Sequence, residues 1–162
     1  MKSIIVYYSY SGNTRKVALV LAEYLREKTD VEIIDLKPQD ESHSFLGQCR
    51  RAFLKKRAQL ETVSFNLSGY DLICLGTPVW AFGPAPATNT YLDKCSGIEG
   101  KEAILFTTYG SGTGNQRCLN YMQDLLTRKG VRQFSRFSIP QFKADNRDFI
   151  LLNIKAAMRL SP

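Results

Sequence analysis

The residues able to do chemistry fall in three short stretches. They are Ser9-Tyr10-Ser11-Gly12-Asn13-Thr14, Thr77-Pro78-Val79-Trp80-Ala81-Phe82-Gly83, and Thr108-Tyr109-Gly110-Ser111-Gly112-Thr113-Gly114-Asn115. The first gathers hydroxyl and amide side chains around a glycine, just ahead of a helical pattern. A helix start leaves backbone N–H groups unpartnered and partly positive, which suits a phosphate. An acidic residue in the first turn commonly answers that charge. Arg15 and Lys16 stand there instead, and two bound negative charges would relieve the conflict. The second stretch brings the single tryptophan, Trp80, into a segment that reads as a loop, where a core role is awkward. An aromatic ring beside a phosphate site is placed to stack on a planar group. The third brings Tyr109 and glycines that let the backbone approach closely.

Other chemistry lacks its residues. The first stretch is not a nucleoside-triphosphate loop, since no lysine follows its glycine. The third has Asn115 where a dinucleotide fingerprint needs its last glycine. Cys49, Cys74, Cys95 and Cys118 are too far apart for zinc or dithiol motifs and read as reduced thiols. The single histidine, His43, sits in a polar connection. No catalytic acid or base and no metal ligand set is assigned.

Positioning the three stretches requires strands. Ser3 to Tyr8, Val31 to Leu36, Asp71 to Gly76, Lys101 to Thr108 and Gln133 to Ile139 are β-branched, aromatic or apolar runs. Helical spacing predicts a helix from about Asn13 to Lys28, one from Pro84 to Cys95, one through Cys118 to Leu126 ended by Gly130, and one from Phe149 to Leu160. Alternation of the two predicts a three-layer, doubly wound, five-stranded parallel sheet in the order 2-1-3-4-5. All three stretches then leave the carboxyl edge of the sheet, where such folds bind ligands.

The bulk numbers are those of a globular chain: 162 residues, 44% hydrophobic, 23% charged, net charge +7. That length suits one domain over residues 1–162. No apolar run could span a membrane and no signal-peptide pattern opens the chain, which predicts a cytoplasmic protein. Lys37 to Leu67 is longer than a simple crossover and predicts a helix near Leu46 to Leu60. Arg50, Arg51, Lys55, Lys56 and Arg57 on it read as a solvated basic face or a docking site for an acidic redox protein. No nucleic-acid motif accompanies them.

These residues resemble the flavodoxin family. Ser9 to Thr14 looks like its phosphate loop for flavin mononucleotide (FMN). Gly76-Thr77-Pro78-Val79-Trp80 and Thr108-Tyr109-Gly110-Ser111-Gly112 look like its two ring-holding loops. The resemblance implies FMN as cofactor, with phosphate on Ser9, Ser11, Gly12, Asn13 and Thr14 and with Tyr10 also in the cofactor site. It implies a flavin between Trp80 and Tyr109, touching Thr77, Pro78 and Gly112, with the backbone amides near Ala81, Phe82 and Gly83 at its edge and Val79, Thr108 and Gly110 completing the cofactor site. The chain departs from the family's acidic electron carriers in being basic. Its expected function is a low-potential electron carrier. The alternatives are an FMN-dependent NAD(P)H:quinone-type reductase, and a flavin-free module that binds an anion or a partner.

Overall fold

The computed structural model describes residues 1–39, 47, 50 and 57–159. Strands β1 (Lys2–Tyr7), β2 (Asp30–Asp35), β3 (Leu72–Trp80), β4 (Gly83–Pro84), β5 (Glu102–Tyr109) and β6 (Gln133–Pro140) alternate with helices α1 (Asn13–Arg26), α2 (Pro86–Lys94), α3 (Asn115–Arg128) and α4 (Arg147–Arg159). The sheet runs β2-β1-β3-β5-β6, and β4 pairs only with β3. All pairings except β3 with β4 are parallel. Setting aside two-residue β4, this is the five-stranded order expected, and the fold is flavodoxin-like.

Alternation along the strands builds the three layers. Ile4, Val6, Ile73, Leu75, Ala103 and Leu105 face one way and pack on Tyr91 and Leu92 of α2 and Leu119 and Met122 of α3. Ile5, Cys74, Ile104 and Phe106 face the other way, onto Val17 and Leu21 of α1 and Ile150 and Ile154 of α4. Both faces are covered, which is why the central strands are apolar throughout instead of alternating with polar residues. Gly76 makes room within the second layer: a Cβ there would come within 2.1 Å of the Phe106 ring. The Phe106 ring also stacks on Phe137 at 5.6 Å.

Helix ends follow local chemistry. Gly130, at φ 92, closes α3 as predicted. Its amide bonds Thr127 O and that of Val131 bonds Leu126 O, the paired bonds of a left-handed glycine cap.

The one structural departure lies at the second stretch. Residues Thr77 to Trp80 were expected in a loop, yet they continue β3, and β4 folds back on it with Val79 opposite Pro84 and Trp80 opposite Gly83. Pro78 costs no ladder bond. Gly76 O accepts from Tyr8 N, so Pro78, two residues on, faces the same side, where β1 has already ended.

Most of the predicted basic helix, including Arg51, Lys55 and Lys56, lies outside the described residues, as do Cys49 and His43. Arg57 is described. Its guanidinium Nε bonds the Asp93 carboxylate on α2, so this member of the basic set is engaged within the molecule. Cys74, Cys95 and Cys118 are buried free thiols. Burial pushes the Cys118 thiol up to about 12, far from a reactive thiolate. Among the described residues no cluster fit for a metal occurs, and no helix is long and apolar enough to cross a membrane.

Candidate functional site

The first stretch connects β1 to α1, and Gly12 is the N-cap of that helix. Gly12 has φ 88, a left-handed conformation that glycine adopts without penalty. No side chain caps the helix and no acid stands in its first turn. The loop is instead braced from within. Arg15 N donates to Ser9 Oγ at 3.2 Å, and Asn13 Nδ2 donates to Ser11 Oγ at 3.2 Å. Each serine acts as acceptor there, so its own hydroxyl hydrogen is left to donate outward. Among the described residues the amides of Asn13 and Thr14 find no acceptor. A Cβ built on Gly12 would meet nothing within 4 Å, so the space beside the loop is open. These are the features a phosphate requires: free amides, outward hydroxyls, positive charge and room.

Below the loop, Thr14 Oγ1 and Thr108 Oγ1 lie 2.8 Å apart, and both side chains are buried. The pair ties the start of α1 to the end of β5. Thr77, also fully buried, accepts from Ala85 N and donates to Pro78 O, locking the β3–β4 hairpin to the start of α2. Thr14, Thr77 and Thr108 therefore form the floor on which the loops stand. Tyr7 lies at the same end of β1. Burial pushes its phenol above the ordinary value, the Asp35 charge adds to that, and Arg15 opposes it.

The aromatic residues sort differently from expectation. Trp80 is 4% exposed and belongs to the core. Tyr8 and Tyr10 pack edge-on against it, each with centroids 5.6 Å away. Trp80 therefore presents almost no free surface to a ring system. Within the three stretches, the rings open to solvent are Tyr10, 43% exposed, and Phe82, 50% exposed. Phe82 and Ala81 form the two-residue hairpin loop, with φ of 66 and 47. A two-residue loop of this left-handed type, a type I′ turn, needs positive φ at both residues, and Asn-Gly is the common choice. Ala-Phe carries no such signal, which is why the hairpin was not legible in the sequence.

The third stretch leaves β5 and opens α3 through Gly114, φ 85, again with no side-chain cap and no acid in the first turn. Tyr109 is half-buried and Gly110 and Gly112 are exposed. Gly110 approaches the Gln141 side chain, and Gly114 lies under Phe82. Arg117, in the first turn of α3, sits 6.0 Å from the Phe82 ring centroid. Phe82 thus joins the second stretch to the third. A separate cavity of about 450 Å³ opens at the opposite edge of the sheet, lined by strand starts and helix ends such as Met1, Lys28, Asp71 and Phe134. It is remote from all three stretches, and the carboxyl edge remains the site that the fold dictates.

Fold and loops together define a flavodoxin-like α/β flavoprotein. The sequence matches the family described as NADPH-dependent FMN reductase over residues 1–143, and the chain belongs to that family as an FMN-binding protein. Solved structures share the fold. A flavoprotein from Bacteroides uniformis ATCC 8492 aligns with TM-score 0.73 at 20% identity, covering 95% of this chain and 97% of that one. A flavoprotein in complex with FMN from Lactobacillus acidophilus NCFM aligns with TM-score 0.63 at 23% identity, covering 91% and 98%. An NADH:FMN oxidoreductase in its apo form aligns with TM-score 0.67 at 18% identity, covering 98% and 87%.

Proposed function

We propose that this protein is an FMN-dependent reductase that draws reducing equivalents from NADPH and delivers them to a quinone-type acceptor. The family favours this reading over the electron carrier expected first. The observation that carries it is electrostatic. Helices α1, α2 and α3 all start at the carboxyl edge, and none has an acid in its first turn. A carrier needs room for one phosphorylated group. A reductase must admit a second, the nicotinamide nucleotide, to the same mouth without repelling it.

In this reading the amides of Asn13 and Thr14 and the hydroxyls of Ser9 and Ser11 hold the FMN phosphate. The Ala81–Gly83 hairpin and the Tyr109–Gly112 turn flank the ring. FMN, when bound, supplies the capacity to accept a hydride and pass its electrons on. The protein orients, shields and balances charge. Only the phenols of Tyr10 and Tyr109 are titratable in residues 9–14, 77–86 and 108–116. Net transfer moves a hydride's electron pair and proton from NADPH, and a quinone gains these plus one solvent proton. That exchange needs no dedicated general base. The basic residues near Arg50 to Arg57 would serve a protein partner only as a further proposal, tested by the salt dependence of association.

Anaerobic mixing of the FMN-loaded protein with NADPH tests the reading. Flavin absorbance should bleach rapidly, and added quinone should restore it through many cycles. No bleaching by NADPH, with ready bleaching by dithionite, would return the protein to the carriers.

A further inference from the structure

Resting on the reductase reading, we propose that Phe82 and Arg117 together seat the electron acceptor, and that the acceptor is a planar aromatic bearing an anionic group, such as a sulfonated or carboxylated quinone.

Two residues that each work against local stability stand in contact. Ala81 and Phe82 are the only non-glycine residues with positive φ among those described. Such backbone is costly for any residue but glycine, persists only where the surrounding structure over-determines it, and clusters at functional sites. Burial of the Phe82 ring returns only part of that, because half of it faces solvent. Arg117 occupies the first turn of α3, where the helix dipole disfavours a cation. Among the described residues it has no ion pair, and its recorded neighbour is the Phe82 ring. Local rules are broken in natural proteins chiefly at functional sites, and here two breaches coincide at one mouth.

The chemistry of the pair selects the ligand. An exposed phenyl face offers stacking to a flat ring. A guanidinium offers a fork of donors to a sulfonate or carboxylate, and it too stacks on aromatic planes. Residues 9–14, 77–86 and 108–116 contain no acidic side chain, so nothing in the three stretches repels the anion. Phe82 belongs to the Ala81–Gly83 hairpin proposed to flank the flavin, and it contacts Gly114, the N-cap of α3, so a ligand resting on it lies beside the cofactor. The pair positions the acceptor and takes no part in electron transfer itself.

The test uses the FMN-loaded protein and two probes, naphthoquinone sulfonate and unsulfonated naphthoquinone. Equilibrium dialysis against the oxidised protein, with no reductant, gives affinities for wild type, Arg117→Gln, Phe82→Ala and Phe82→Tyr. Arg117→Gln should weaken the sulfonate about tenfold, as expected for a lost charged hydrogen bond, and weaken the parent no more than about twofold. Added salt should shrink the wild-type preference toward that of the variant. Phe82→Ala should weaken both probes alike, and Phe82→Tyr should retain both. An undiminished sulfonate preference in Arg117→Gln would overturn the proposal. So would a change confined to the KM for NADPH in the turnover assay. Absence of NADPH turnover, with the dialysis differences intact, would sink only the reductase reading.

Discussion

The Phe82 ring lies against the bare Cα of Gly114: a Cβ there would stand 2.5 Å from Phe82 Cδ1 and 3.2 Å from Phe82 Cα. Gly114 also has φ 85. The contact is the joint between the hairpin that prolongs β3 and the helix that follows β5. Gly114→Ala adds a backbone penalty, a clash with the Phe82 ring and a tight contact with the Phe82 main chain behind it. We expect a loss of about 2–4 kcal/mol in urea unfolding, combining left-handed strain with overpacking. Gly12 has nearly the same φ but open space around it. Gly12→Ala should cost only the conformational part, about 1–2 kcal/mol. Equal losses would show that the Phe82 contact contributes nothing.

The hydroxyls of Thr14 and Thr108 bond each other across 94 residues of sequence, with both side chains buried. Replacing either threonine by valine strands the other hydroxyl away from water, at about 1–3 kcal/mol. Replacing both removes the polar pair while nearly preserving shape, so the double variant should lose less than the two single losses added. A double-mutant cycle in urea measures this coupling. Simple additivity would mean that each hydroxyl finds another partner when its mate is gone.

Much of this could be read from residue order. The runs from Ser3, Asp71 and Lys101 became central strands because buried parallel strands are apolar on both faces, whereas those from Val31 and Gln133 are half-buried edge strands with polar residues interspersed. The uncapped start of α1 was legible because Gly12 precedes Arg15 and Lys16 where an acid would ordinarily stand. The β3–β4 hairpin was hidden. Pro78, Gly83 and Pro84 all read as breakers, and the turn residues Ala81 and Phe82 are held left-handed by tertiary contacts with no local preference for it. Trp80 was misplaced for the same reason. Once β3 is carried through the proline, its ring falls into the core beside Tyr8, and Phe82 becomes the open aromatic. Nothing short of the folded chain puts Phe82 on Gly114 and Arg117.

Ser9 and Ser11 brace the loop between β1 and α1 as acceptors, which leaves their hydroxyl hydrogens to donate outward. Their joint replacement by alanine should weaken FMN far more than riboflavin, which has the same ring and no phosphate. Two charge-assisted hydrogen bonds at about 1.5–3 kcal/mol each set the upper scale, and solvent access at Ser11 lowers it. Flavin fluorescence titration should therefore show the FMN-to-riboflavin preference falling by at least about tenfold. Equal weakening of both ligands would remove the phosphate from this loop.

Tyr70 OH donates to Glu32 Oε2 at 2.6 Å, linking the start of β3 to edge strand β2, with Lys2 Nζ 3.4 Å from the same carboxylate. The hydrogen bond needs a protonated phenol and an ionised acid, so it fails at both ends of the pH scale. The bond to Glu32 and, after it, burial push the Tyr70 phenol from 10.0 up to about 12. A raised folded-state value means that the contribution is complete below about pH 10 and is lost between about 10 and 12, as the unfolded chain sheds its proton first. The same hydrogen bond holds Glu32 below its ordinary 4.5, so on the acid side the contribution is complete above that value and disappears as pH falls through the lowered one. Tyr7 and Cys74 also have raised values and lose stability in alkali, but Tyr70 is not among the causes, so they do so equally in Tyr70→Phe. The difference in urea midpoint between wild type and Tyr70→Phe should therefore form a plateau from about pH 5 to 10 and narrow on both sides. A difference that stayed constant into alkali would mean that the phenol is held by packing alone.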